Sequence, residues 1–123
     1  MWPAVRAQVP PGFVAVIDRA RASELGDEAC IGLAPLQQQQ YRLLWETVLD
    51  VGFQPSGLLV ACLATLAPVL GHTSATVLKR FGKFCAEQRL WVRVPGPLYP
   101  NPRGDAPGRR SRCYLVLDTD PGR

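Results

Sequence analysis

Histidine and closely spaced cysteines are scarce in this sequence. His72 is the single histidine, and the four cysteines lie far apart with no C-x-x-C pair among them: Cys30, Cys62, Cys85 and Cys113. Zinc and iron–sulfur sites need several such ligands at short, regular spacing. The sequence therefore predicts no metal site and no cofactor. Cys62 and Cys85 lie within apolar helical patterns and are predicted to be small core residues.

Motifs of catalytic centres are also missing. The chain has no phosphate-binding loop and no H-E-x-x-H pair. A single histidine limits general acid–base chemistry. The 10 carboxylates are scattered at spacings that are typical of a protein surface. We therefore expect a protein that acts by binding and is not an enzyme.

Long apolar runs are the third absence. The apolar run 57–64 is far shorter than the ~20 residues that a membrane-spanning helix needs. The N-terminal stretch MWPAVRAQVPPG lacks the apolar centre of a secretory signal. These absences predict a soluble protein in a reducing, cytoplasmic setting, without a membrane partner.

Apolar residues are well represented, at 47% of 123 residues, which is enough for one domain with a modest core. The 11 glycines and 12 prolines gather near both ends and in one late loop, so we expect a compact centre with irregular edges. A net charge of +4 and a pI near 9.2 are compatible with a nucleic-acid partner, but many soluble proteins are as basic. The positions of the charges are therefore more informative than their sum.

Residues 1–34 are predicted to form an irregular N-terminal arm. The run 13–17 (FVAVI) favours a short strand. Charged and small residues alternate from Asp18 to Leu25, which allows a short helix or a turn that Gly26 ends. This arm could serve as a dimer surface, as an extension of a sheet or as a tail that binds a protein partner.

A helix is predicted at 36–51. Pro35 suits its first position, and Gly52 and Pro55 end it. Its apolar stripe consists of Tyr41, Leu44, Trp45, Val48 and Leu49. Residues 57–70 also have a helical composition, interrupted by Pro68. Either the helix kinks there, or a new short helix begins at Thr65 with Pro68 in its tolerant first turn; the second interpretation is favoured.

The stretch 66–94 (LAPVLGHTSATVLKRFGKFCAEQRLWVRV) has the pattern around which the chain is organised. Gly71 can adopt the left-handed conformation that ends a helix, and Thr73 can cap the next helix. One face of that next helix is then predicted to be buried, through Val77, Phe81, Phe84 and Cys85. The opposite face carries Ala75, Thr76, Lys79 and Lys83. Two helices around a glycine turn, the second with a basic outer face, are typical of a helix-turn-helix.

Two strand-like segments follow this motif. Residues 90–94 (LWVRV) and 112–118 (RCYLVLD) favour strands, and the residues between them are turn formers and arginines. Two strands joined by a basic loop, directly after a helix-turn-helix, form a wing. Trp45 and Trp91 fit the apolar patterns and are predicted to be core residues rather than stacking platforms.

Residues 66–77 (LAPVLGHTSATV) resemble the L-A-x-x-L-G-x-[ST]-x-x-T-V signature of bacterial winged helix-turn-helix proteins, and residues 88–94 (QRLWVRV) resemble their passage from helix to wing. The resemblance covers about residues 36–118. It implies an α+β, mainly α fold, with a winged domain at 35–118 (three-helix core and two-stranded β-wing), the arm 1–34 before it and a tail at 119–123. Within this family, the early FVAV strand is similar to that of proteins of phage and plasmid replication.

In this family the second helix of the motif usually enters the DNA major groove, and the wing usually lies along the backbone or the minor groove. The resemblance therefore implies a set of DNA-binding residues on the helix and in the wing: Thr73, Ser74, Thr76, Lys79, Arg80, Lys83, Arg93, Arg103, Arg109, Arg110 and Arg112. Small residues and lysines hold the base-reading positions, which favours phosphate contact over sequence-specific readout. His72 is predicted to be an exposed turn residue, with a phosphate or base contact as the alternative.

Two functions compete on this evidence. The favoured one is a cytoplasmic protein that binds double-stranded DNA, as a transcription regulator or a replication accessory. Such proteins often bind as homodimers, and the helix 36–51 or the arm could supply the dimer surface. The alternative is a winged-helix module for protein–protein interaction or a subunit of a larger nucleoprotein assembly, because a fold does not determine function.

Overall fold

The computed structural model describes residues 8–63, 66, 75–100 and 110–120, which form an α+β fold of three helices and four strands. In chain order the elements are β1 (Phe13–Ala15), α1 (Arg19–Cys30), α2 (Pro35–Gly52), β2 (Leu58–Ala61), α3 (Ala75–Glu87), β3 (Trp91–Pro100) and β4 (Arg110–Thr119). The predicted α+β class is confirmed. The predicted turn at Gly71, the predicted helix cap Thr73 and, apart from Leu66, the short helix before them lie outside the described residues.

β4 is the central strand of an antiparallel sheet. Leu115 of β4 pairs with Leu58 of β2 on one edge and with Val92 of β3 on the other. The strands predicted at 90–94 and 112–118 are therefore present, and they form an antiparallel pair that directly follows α3.

The short strand β1 extends the edge of β4 that β2 also uses. The N–H of Val16 donates to the carbonyl of Val116 (2.8 Å), whereas the N–H of Leu117 donates to Leu90, just before β3 (2.9 Å). Because successive residues of a strand direct their backbone groups to opposite edges, β1 and β2 lie end to end on one edge and β3 lies on the other. The short strand predicted near residue 13 is confirmed.

α1 is longer than the short helix or turn that the sequence predicted. Asp18 caps its N-terminus, because the Asp18 carboxylate accepts a hydrogen bond from the N–H of Ala20 (3.0 Å). It continues through Gly26, where a side chain would overlap the indole ring of Trp45 on α2. That indole N–H donates to the carbonyl of Ala22 (2.9 Å). Gly26 therefore allows two helices to pack closely, and the prediction that it ends α1 is wrong.

α2 confirms the helix predicted at 36–51. Pro35 lies in its first turn, where a missing N–H is tolerated. The chain leaves the helix after Gly52, and Phe53 already has an extended backbone. The buried face contains the predicted apolar stripe: Tyr41, Leu44, Trp45, Val48 and Leu49.

β2 lies in a segment that was predicted to be helical. Its four residues, LLVA, pair with β4 along their whole length. Gly57 makes the turn before it, with a left-handed backbone (φ 91°) and an N–H that donates to the carbonyl of Gln54 (2.8 Å). So short an apolar run carries no helical period of its own, and pairing with the central strand determines its conformation. The helical prediction is wrong for 58–61.

α3 directs one face into the core. Leu78, Phe81 and Cys85 are buried, whereas Val77 and Phe84 are only partly covered. The buried face is therefore rotated slightly from the predicted stripe, because it includes Leu78, which was not among the predicted residues. The predicted outer face is confirmed by the exposure of Ala75, Thr76, Lys79 and Lys83.

Aromatic side chains connect the helices to the sheet. Tyr41 of α2 meets Phe81 of α3 edge to face, with ring centroids 5.4 Å apart. Trp45 of α2 approaches Trp91 of β3, with centroids 5.8 Å apart. Both tryptophans are almost completely buried, which confirms that they are core residues.

Candidate nucleic-acid interface

The exposed face of α3 carries four of the predicted DNA-binding residues: Thr76, Lys79, Arg80 and Lys83. Residues four apart on a helix are neighbours on its surface, so Lys79 and Lys83 lie one turn apart. Both of them line a groove beside β3. Thr76 and Arg80 are exposed on the same helix but do not line this groove.

α3 ends in a tight reversal of the chain at Arg89. The N–H of Arg89 donates to the carbonyl of Ala86 (3.2 Å), and the N–H of Leu90 donates to the carbonyl of Cys85 (2.9 Å). These two hydrogen bonds are the pattern of a Schellman cap. Arg89 has a φ of 58°, the left-handed conformation that such a cap requires. The cap turns the chain directly into β3, and the Arg89 side chain is exposed beside the groove.

A groove of about 470 Å³ lies between α3 and the sheet. Leu63, Gly82 and Trp91 contribute to its apolar lining. Four cationic side chains also line it, and we call it the cationic groove after them: Lys79, Lys83, Arg89 and Arg93. No carboxylate is found among its described lining residues. The groove therefore brings three of the predicted site residues together with a fourth cation, Arg89.

Tyr114 of β4 adds an aromatic wall with a hydrogen-bonding group. Its ring stacks on Trp91, with centroids 3.9 Å apart and an interplanar angle of 17°. Burial raises the pKa of the Tyr114 phenol, and the positive charges of Arg112 and Arg93 oppose this shift. The phenol is therefore protonated at neutral pH and keeps a hydrogen-bond donor on a residue that lines the groove.

The remaining predicted wing residues are placed differently. Arg93 and Arg112 are both exposed, but Arg112 pairs in register with Ala61 of β2 and does not line the cationic groove. The backbone of Arg110 belongs to β4. Five candidates lie outside the described residues: His72, Thr73, Ser74, Arg103 and Arg109.

The arginines of α1 and α2 are paired with carboxylates. Arg19 contacts Asp50 (2.7 Å) and Glu46 (3.2 Å), and Arg42 contacts Asp27 (2.9 Å). Each of these pairs connects one helix to the other. Exposed pairs of this kind stabilise a fold by only about 0–1 kcal/mol, but they cancel the positive charge on this part of the surface.

Arg21 connects α1 to the end of the central strand. Its guanidinium donates two hydrogen bonds to the carboxylate of Asp118 (2.9 and 3.1 Å) and one to Glu28 (2.9 Å). The hydrogen bonds from Arg21 lower the pKa of Asp118 below its usual range. We call the surface formed by Arg19, Arg21, Arg42 and their carboxylates the paired side.

Charge is thus divided between two regions. No ion pair formed within the described part of the chain involves the cations of α3 or β3: Lys79, Arg80, Lys83, Arg89 and Arg93. Residues 8–63 contain three arginines and six carboxylates, a formal net charge of −3, whereas 75–94 contain five cations and one carboxylate, +4. The carboxylates are therefore concentrated away from α3, and counting charge by segment would have revealed this from the sequence.

Within the described ranges, no group of three or more histidine, cysteine, aspartate or glutamate residues could hold a metal ion. Cys85 is buried, as predicted for a core residue, and Cys62 is only partly buried. No helix of the described residues has both the length and the apolar character that crossing a bilayer requires.

Comparisons with known proteins identify no relative. No protein-family model matches the chain, and searches of curated proteins and of solved structures returned no match. Function is therefore inferred from the geometry and the charge of this chain itself.

Proposed function

We propose that this chain is a cytoplasmic protein that binds double-stranded DNA without catalysing a reaction, as a transcription regulator or a replication accessory. The cationic groove carries the proposal, because four cations lie together beside an exposed helix with no carboxylate among the described lining residues. The phosphate backbone is a polyanion that suits such a surface, since each neutralised phosphate releases condensed counterions.

The order of the elements supports a winged helix-turn-helix architecture. α3 is an exposed, basic helix, and the antiparallel strands β3 and β4 follow it directly. In a winged helix-turn-helix protein, the second helix of the motif and the wing follow one another in this order. In such an arrangement α3 would enter the major groove, and the β3–β4 pair would lie beside the backbone.

The chemistry of α3 favours phosphate contact over base readout. Its 13 residues span about 20 Å, and the DNA major groove, about 12 Å wide, admits a helix of this diameter. The exposed residues include Ala75 and Thr76, which are small, and Lys79 and Lys83, which bind phosphate as point charges. We therefore expect affinity that depends strongly on salt and weakly on base sequence.

A mobility-shift titration tests the proposal, with a mixed-sequence duplex of about 20 base pairs at about 50 and about 200 mM salt. If the protein neutralises four phosphates, its affinity for the duplex should fall about 100-fold as the salt concentration rises over this range. Lys83→Ala should reduce affinity about 5- to 10-fold and flatten the dependence of log K on log salt by about 0.9. Arg42→Ala, which removes a cation from the paired side, should change neither quantity. If the wild-type protein retards no duplex at the lower salt, the proposal is wrong.

The outer face of α2 favours a second property, self-association. Leu36 and Leu43 are two turns apart on this helix and are 69% and 45% exposed, and Ile31, just before it, is 71% exposed. Large apolar side chains on one helical face are typical of an interface. No residue of α2 lines the cationic groove, so a homodimer formed through α2 would leave the groove available to DNA.

Light scattering after size-exclusion chromatography tests this interface. The wild-type protein should be a dimer at about 100 µM, and the double substitution Leu36→Gln with Leu43→Gln should give a monomer with an unchanged circular dichroism spectrum. A monomeric wild-type protein, or a double variant that remains dimeric, would exclude α2 as the dimer surface.

A further inference from the structure

We propose that Arg89, held in a left-handed backbone conformation at the end of α3, binds a phosphate group of the DNA backbone in the cationic groove. The inference rests on the DNA-binding function proposed above. It adds a contact at the junction between helix and wing, where neither the helix face nor the wing loop would supply one.

The backbone of Arg89 is the first observation. Arg89 is the single non-glycine residue with a positive φ among those described, at 58°. The other two residues with a positive φ are both glycines, Gly12 and Gly57. Glycine is also the usual residue at this position of a Schellman cap, because it lacks the Cβ atom that makes the left-handed region unfavourable. The cap therefore accounts for the conformation but not for the arginine.

The surroundings of the side chain are the second observation. The Arg89 side chain is exposed, and no ion pair within the described ranges holds its guanidinium. It lines the cationic groove together with Lys83 and Arg93. Exposed like charges around one cavity attract an anion as its occupant.

The chemistry of the groove selects phosphate. A guanidinium presents two parallel N–H groups to two phosphate oxygens, which a lysine cannot do. Tyr114, with a neutral phenol in the same groove, supplies a further donor. Lys79 lies eight residues, about 12 Å, before the end of α3 at Glu87, and Arg89 follows two residues later. That span exceeds one phosphate group and suits several successive phosphates of a strand.

A purely structural role for Arg89 and a role in binding predict different effects of its substitution on the melting temperature. A cation at the end of a helix can stabilise it through the helix dipole and the last carbonyls. If this were the reason for the arginine, Arg89→Gly would lower the melting temperature. If Arg89 instead serves binding, Arg89→Gly should melt at the wild-type temperature or up to about 5 °C above it, because glycine relieves the backbone strain.

The experiment measures the melting temperature and the duplex affinity for the same set of variants. At about 50 mM salt, Arg89→Gly should bind a duplex of about 20 base pairs about 5- to 10-fold more weakly, with a salt dependence flatter by about 1. Arg89→Lys, which keeps the charge, should remain within about 3-fold of the wild type. Arg42→Gln, which removes a cation from the paired side, should bind as the wild type does.

The outcomes separate this inference from the proposed function. The role of Arg89 is overturned if Arg89→Gly melts below the wild type, or if its duplex affinity stays within about 2-fold of the wild-type value with an unchanged salt dependence. Either result leaves DNA binding in place. A wild-type protein that binds no duplex overturns the proposed function. Inorganic pyrophosphate then decides on the phosphate site: a rise in melting temperature for the wild type but not for Arg89→Gly supports the site, and no rise for either overturns it.

Discussion

The paired side and the cationic groove use the same kinds of residue in opposite ways. On α1 and α2, Arg19, Arg21 and Arg42 each contact a carboxylate, and the contacts connect one element to another. Around α3 and β3, no cation makes such a pair within the described residues, and four of these cations line one groove. The number of cations therefore says less about function than the positions of the carboxylates, because only unpaired charge remains available to a polyanion.

The largest expected effect comes from reversing charge in the groove. Lys79→Glu with Lys83→Glu should weaken duplex binding about 100-fold or more, because carboxylates would then face phosphates. Both lysines are exposed, so the free energy of unfolding should change by no more than about 0.5 kcal/mol for each. Fluorescence anisotropy with a labelled duplex and urea denaturation measure the two quantities. Affinity within about 3-fold of the wild type would remove the groove from the binding surface.

The next effect concerns two glycines, one packed between α1 and α2 and one on α3 beside the cationic groove. A Cβ atom at Gly26 would overlap the ring of Trp45, whereas one at Gly82 would meet the flexible end of Leu63 at 2.9 Å. Gly26→Ala should therefore destabilise the fold by about 1–3 kcal/mol. Gly82→Ala gains about 1 kcal/mol of helix propensity, which offsets the contact with Leu63.

Urea denaturation of the two glycine variants provides the comparison, and each serves as the control for the other. Equal stability of Gly26→Ala and the wild type would show that α1 and α2 are not packed as closely as the position of Trp45 requires.

A smaller effect is expected of acid pH on the stability that an ion pair of the paired side contributes. Arg21 lowers the pKa of Asp118 in the folded protein. The pair therefore stabilises the fold above the unfolded pKa of about 3.9, and this contribution is lost as the pH falls through the lower folded pKa. Arg21→Gln should be slightly less stable than the wild type near neutral pH, and the difference should disappear below about pH 2. A difference in stability that does not change between pH 7 and this acid limit would contradict the assignment.

The smallest expected effect is that of pH on duplex affinity, which should stay nearly constant around neutral pH. No histidine or carboxylate lines the groove among the described residues, and burial keeps the pKa of Tyr114 above its usual value. Duplex affinity should therefore change by less than about 2-fold between pH 6 and pH 8. Affinity that rises as the pH falls below about 6.5 would instead implicate His72, which the sequence predicts to be an exposed turn residue.

Elements with a strong period were predictable from the sequence, and elements that depend on distant contacts were not. α2 has an uninterrupted apolar stripe, a proline at its start and a glycine at its end, and all three signals are local. β2 is a strand because β4 pairs with it, and nothing in LLVA indicates this. Gly26 has the composition of a helix terminator, but its role depends on Trp45, nineteen residues away in sequence.

The candidate site shows the same limit. Lys79 and Lys83 were predictable because the helical period places them on the outer face of α3. Arg93 followed from the resemblance to a wing. The left-handed backbone that places Arg89 beside the groove was not predicted, because the sequence QRL does not signal it. The opposite net charges of 8–63 and 75–94 could have been read directly from the sequence.

The most direct test of the division between the two regions is an amide chemical-shift map of the isotopically labelled protein, titrated with a duplex of about 20 base pairs at about 50 mM salt. The largest shifts should occur at Lys79, Lys83, Arg89 and Arg93 and their neighbours in α3 and β3, while the amides of α1 and α2 hardly move. Largest shifts in α1 or α2 would contradict the account, because the duplex would then be meeting the surface whose positive charge is already neutralised.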